Sequence, residues 1–128
     1  MTRFPNWQSP TFDNQGMTQW HWVCQHREKF KLEKNTDIGA FTYINAQFGV
    51  TIEAEVQIGS HCAIYSHNTI DHTQGPIIIK QHALIGSHTT IFPGVTIGAN
   101  ATIGAHSLVK TNVPDNETWA GVPAGKIK

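Results

Sequence analysis

The sequence predicts an all-β protein, a parallel β-helix of about four to five triangular coils with an aromatic-rich N-terminal cap. Three observations carry that prediction. The aliphatic residues include fourteen Ile and seven Val but only three Leu. β-Branched side chains are stiff and fit pleated strands, whereas helices favour Leu. Aliphatic residues also recur every six positions, at Leu32, Ile38, Ile44, then Ile52, Ile58, Ile64, Ile70, then Ile79, Ile85, Ile91, Ile97, Ile103 and Val109. Finally, Gly follows at 39, 59, 86, 98 and 104, and position i+4 is small or β-branched in Thr42, Val56, Cys62, Ala83, Thr89, Val95, Ala101 and Ser107. A unit of six fits one straight side of a triangular coil, with i and i+4 pointing inward and a tight corner between them that favours Gly, Asn or Ala. Stacked turns lie ~4.8 Å apart and share a backbone ladder. The rival, an alternating β-sandwich, has a period of two and irregular turns, which does not yield ten steps of six.

Taken in order, residues 1–31 form a capping or interface segment. It holds half of the twelve aromatics: Phe4, Trp7, Phe12, Trp20, Trp22 and Phe30. The open end of a coil stack exposes apolar rows and unpaired backbone that something must cover. Residues 17–29 read as a short helix. Residues 32–113 form the coils, divided 32–51, 52–69, 70–90 and 91–108, with 109–113 starting a fifth. The jump from Ile70 to Ile79 adds three residues and pushes out a loop, Asp71 to Pro76. In this register one face carries Ile44, Ile64, Ile85 and Ile103, and its corner stacks Gln47, His67, His88 and His106. The neighbouring corner stacks Phe41, His61, His82 and Asn100. The His67, His88, His106 column admits three readings: a solvated corner, a line of groups beside a cofactor, or a zinc site. Residues 114–128 form a tail, in which Val113-Pro114 stops the ladder and Trp119 with Val122-Pro123 packs across the last turn.

Composition narrows the function. Nine Lys+Arg balance nine Asp+Glu, so the electrostatic footprint of a nucleic-acid binder is missing. The basic grouping from Arg27 to Lys34 is interleaved with Glu28 and Glu33. No apolar stretch approaches the roughly 20 residues that span a bilayer. Residues 1–16 lack the apolar run of a signal peptide, and Cys24 and Cys62 make neither a disulfide framework nor a CxxC motif. The expectation is a soluble cytoplasmic protein. P-loop, GxGxxG and GxSxG motifs are absent.

Three stretches, IGAFTY from Ile38, IGSHTTIFPGVTIGANATIGAHS from Ile85 and PDNETWAGVPAGKI from Pro114, resemble the hexapeptide-repeat acyltransferases. The resemblance covers residues 32–128, and within the family it points to short acetyltransferases of bacterial surface-polysaccharide pathways. It implies a left-handed β-helix, an exception to right-handed crossovers, and a homotrimer with active sites between subunits. It also implies acetyl-CoA as co-substrate without a metal, and a sugar or nucleotide-linked sugar as acceptor. The expected reaction is acetylation of the amino group of a nucleotide-linked amino sugar in surface-glycan (lipopolysaccharide) biosynthesis. Sugar O-acetylation is the close alternative; a γ-carbonic-anhydrase-like zinc enzyme and a non-catalytic scaffold are rivals of other classes.

The resemblance also assigns residues. His72 matches the catalytic histidine by position, although the loop is shorter than in galactoside-type enzymes and lacks their Gly-His-Pro; His67 is the second candidate base. Asn45 carries over an acceptor-binding role, joined by Asn68, Asp71 and His88. Ser87, Gly104 and Ala105 correspond to small residues beside the pantetheine arm, and Lys110 and Lys126 are candidates for a CoA phosphate. The N-terminal indoles Trp20 or Trp22 offer an alternative use as a platform for the acceptor's base. Acetyl transfer needs a held donor and nucleophile, a proton acceptor, and a donor to the developing oxyanion.

Overall fold

The structure, a computed structural model, describes residues 5–128; Phe4 of the N-terminal aromatics lies outside the described residues. The repeat builds three parallel sheets around one core. The first face stacks Val23–Gln25, Tyr43–Asn45, Ala63–Tyr65, Thr90–Ile91 and Leu108–Val109. The second stacks Phe30–Leu32, Val50–Ile52, Ile77–Ile79 and Thr96–Ile97. The third stacks Asp37–Ile38, Gln57–Ile58, Leu84–Ile85, Thr102–Ile103 and Thr118–Gly121, with Ala124–Lys126 folded back antiparallel. The repeat isoleucines from Ile38 to Ile64 and from Ile79 to Ile103 are buried, each worth about 1.5–3 kcal/mol of transfer. The inward hydroxyls are paired between rungs. Thr42 Oγ1 donates to the Gly59 carbonyl at 2.9 Å, and Thr89 Oγ1 to the Gly104 carbonyl at 3.2 Å.

The register differs from the expected one above the second coil. Leu32, Ile38 and Ile44 pair with Ile52, Ile58 and Ile64, a turn of 20 residues. Those in turn pair with Ile79, Ile85 and Ile91, a turn of 27 residues, after which Ile79, Ile85 and Ile91 pair with Ile97, Ile103 and Val109, a turn of 18. The insertion is therefore nine residues, not three. Ile70, counted as an inward rung, is 89% exposed on the loop. A six-residue spacing does not distinguish a wall isoleucine from a loop isoleucine that falls on the same count.

Correcting the register re-sorts the corners. Ile64 lies beneath Ile91, not Ile85. His88 and His106 leave the expected column with His67 and stack on His61, with ring centroids 4.8 and 4.6 Å apart and planes within 9° of parallel. Phe41 lies against His61 at the foot of this stack. His82 and Asn100 belong instead with Asn35, Glu55 and Asn116. In that corner Glu55, His82, Asn100 and Asn116 each donate their amide to the rung below, as in His82 N–H to Ala54 and Asn100 N–H to Gln81.

The ends depart from expectation too. No helix forms over 17–29. Met17 bridges Val23, left-handed backbone at His21 and His26 breaks the run, and one 3-10 turn spans Arg27–Lys29. The ladder begins at Val23, inside the segment read as a cap. At the other end the ladder passes Val113, which bridges Ile97, and Trp119 pairs with Ile103. Val122 is exposed rather than packed on the coil.

Candidate active site

The 27-residue turn leaves the core at Ser66 and returns at Gly75, whose amide donates to the Ser66 carbonyl at 2.9 Å. Between them His67–Asn68 and Thr73–Gln74 pair antiparallel, so the loop is a small hairpin standing on the corner between the first and second faces. Ser66, buried at its base, donates Oγ–H to the Asn45 carbonyl and accepts the Phe48 amide, both at 2.9 Å. The loop is thereby fastened to the rung beneath.

His67 is half-buried at the foot of this hairpin. Its Nδ1 lies 3.1 Å from Gln47 Oε1, and the Phe48 ring meets it edge-on at 5.4 Å. Asn45 completes the corner: its Oδ1 accepts the Gln47 amide at 3.0 Å, and its Nδ2 donates to the Tyr43 hydroxyl at 3.3 Å. Further out, Asn68 Oδ1 accepts the Ile70 amide. Asp71 accepts both the hydroxyl and the amide of Thr73, at 2.7 and 3.0 Å, and these bonds hold its carboxyl below the usual carboxylate range. Burial, and then the charge of Asp71, push the Tyr65 phenol up. His72 sits exposed at the tip with left-handed backbone.

Backbone conformation separates the histidines. Non-glycine residues seldom adopt positive φ, with Asn, Asp and His the usual exceptions. Seven of the eight histidines, His21, His26, His61, His72, His82, His88 and His106, have φ between 58° and 69°. His67 is the one that does not. Left-handed backbone at the coil corners, in the N-terminal segment and at the hairpin tip accounts for the other seven; His67 has no such backbone reason.

All but one of the expected site residues therefore fall in two places on one chain. Asn45, His67, Asn68, Asp71 and His72 share the loop corner, where Lys110 also lies, its Nζ 5.6 Å from the centre of the Phe92 ring. Ser87, His88, Gly104 and Ala105 lie at the corner between the third and first faces. There the rungs touch closely, since a Cβ on Gly86 would sit 2.5 Å from the Ala105 nitrogen. Lys126 lies on the terminal hairpin, 3.6 Å from Glu117. Gln47, a corner residue on the sequence, lies one 20-residue turn below His67, and that spacing is the sequence signal for their contact. Among the described residues, no three His, Cys, Asp or Glu come together as a metal site.

Residues 76–111 match the model of the bacterial transferase hexapeptide (six repeats). The chain is 34% identical over 114 residues to the galactoside O-acetyltransferase of Escherichia coli (strain K12), covering 77% of this chain and 56% of that protein. It is 29% identical over 112 residues to the putative lipopolysaccharide biosynthesis O-acetyl transferase WbbJ of the same strain, covering 73% and 57%. A hexapeptide-repeat containing acetyltransferase from Vibrio cholerae O1 biovar eltor, solved with acetyl-CoA, superposes with a TM-score of 0.77 at 26% identity, over 84% of this chain and 63% of that one. The chain carries the repeat of the hexapeptide transferases, and its coils form the left-handed β-helix of those acetyltransferases. It spans a little over half the length of these curated relatives.

Proposed function

We propose that this protein is an acetyl-CoA-dependent acetyltransferase whose acceptor is a sugar hydroxyl, with His67 as the general base. The carrying observation is the half-buried imidazole held by Gln47 on the one histidine that does not occupy left-handed backbone. In the tautomer that donates Nδ1–H to Gln47 Oε1, Nε2 keeps its lone pair for the acceptor proton. Asn45 and Asn68 stand beside it as acceptor contacts, and Asp71 shapes the loop. Both relatives named above are O-acetyltransferases, which supports a hydroxyl acceptor. The amino group of a nucleotide-linked amino sugar is the second reading. The shortness of the loop favours it, because an amine attacks a thioester with little help from a base.

CoA is assigned to the glycine corner, along Ser87, Gly104 and Ala105, with Lys110 or Lys126 toward its phosphates. That corner and the loop lie on different edges of one chain, so the proposed unit is a cytoplasmic homotrimer with active sites between subunits. The test is release of CoASH across a panel of sugars and nucleotide-linked amino sugars by wild type, His67→Asn and His72→Asn. With a hydroxyl acceptor, His67→Asn should lower kcat by about 10²–10⁴ and His72→Asn by less than about tenfold. The reverse order would move the base to His72. Loss in neither variant would point to an unassisted amine.

A further inference from the structure

A cavity lies away from the loop, at the first rung of the coil. It measures about 480 Å³, within the range of small-molecule sites. Three of the protein's four tryptophans line it: Trp7, Trp20 and Trp22. Two of these indoles are locked. Trp7 Nε1 donates to the Thr36 carbonyl at 2.8 Å, and Trp22, 2% exposed, is edge-packed between Phe12 and Phe30 at 5.7 and 6.0 Å. Trp20 stays 40% exposed at the cavity. The polar lining is made of the neutral amides of Asn6 and Gln8, Thr36 and one carboxylate, Asp37, and no Lys, Arg or His is among the lining residues.

We propose that this cavity binds a nucleobase, stacked on the exposed Trp20 indole. Flat π-faces on rigid walls suit a planar ring at low entropic cost. Amide side chains offer a donor and an acceptor together, matching the mixed edge of a base. The absence of a cationic lining places a phosphate outside the cavity. This inference stands apart from acyl transfer, and CoASH release is not its readout.

The test uses uridine, thymidine and adenosine as probes on the full chain, with ribose as control. At least one nucleoside should quench tryptophan emission saturably. Saturation-transfer NMR should label its base protons more strongly than its ribose protons. Trp20→Ala should weaken binding by about tenfold or more. If circular dichroism shows that this variant has not folded, Gln8→Ala, a change at an exposed side chain, replaces it and should weaken binding measurably. Saturation of ribose protons in preference to base protons would overturn the proposal, as would no saturable response to any nucleoside, or unchanged affinity in the folded variant.

Discussion

His88 occupies a corner where the chain needs left-handed backbone (φ 59°), and its stacked neighbours His61 and His106 do the same. Asn tolerates that conformation and a β-branched residue does not. His88→Asn should therefore melt close to wild type, whereas His88→Val should lose about 1–2 kcal/mol, read from urea midpoints. Equal losses would mean that ring stacking, not backbone, selects histidine. Close approach governs Gly86 in the same way. An added Cβ would lie 2.5 Å from backbone that has no room to retreat, so Gly86→Ala should cost about 1–3 kcal/mol. The buried cysteines make a chemical prediction. Burial pushes the Cys24 thiol up to about 12 and raises Cys62 as well. Since the thiolate is the reactive form, both should resist alkylation at neutral pH until denaturant opens the coil.

The hairpin from Ser66 to Gly75 is the element on which register and chemistry both turn. Ile70→Asp should leave the melting temperature within a degree or two, as expected for a surface change, while Ile64→Ala should cost about 2–5 kcal/mol. A severe loss at position 70 would restore the three-residue insertion. Asp71 gives the hairpin a pH dependence. Its carboxylate is favoured in the fold by Thr73, so the contribution is present above the ordinary carboxylate range and is lost as pH falls through the lowered native value. The Thr73 amide resonance should thus titrate with a midpoint below the ordinary carboxylate value. The same element marks where the sequence stopped being legible. Ile, Gly and small residues repeat because stacking demands them, and that demand made the coils readable before any coordinates. Loop length is under no such demand, and Ile70 kept the count by chance. A clue was present: Ile77 and Ile79 are both inward, as Val50 and Ile52 are on the strand they pair with. Matching that pattern would have given 27 residues. His67 and His72 were legible as a pair of candidate bases; the features on which our proposal prefers His67, its φ and the Gln47 contact, are not written in the sequence.

At the scale of the whole molecule, the two groups of proposed site residues lie on separate edges of a rigid coil whose walls are fixed by backbone ladders. No loop movement within one chain joins them without unpairing strands, so a site using both must be closed by a second copy. Head-to-tail closure of that kind pairs the loop edge of one subunit with the glycine edge of the next. This makes a sharp prediction about mixtures. His67→Asn should disable only the loop edge, and Ala105→Trp, at an exposed small residue, should block only the glycine edge. Each homo-oligomer should be inactive. Refolded together at equal concentration, a subunit boundary carries an intact loop edge opposite an intact glycine edge with a probability of one half times one half. The mixture should therefore recover about a quarter of wild-type CoASH release. If each site lay within a single chain, every chain would carry one defect and the mixture would stay silent; that result would require the CoA residues to be sought on the loop edge itself, around Phe92 and Lys110.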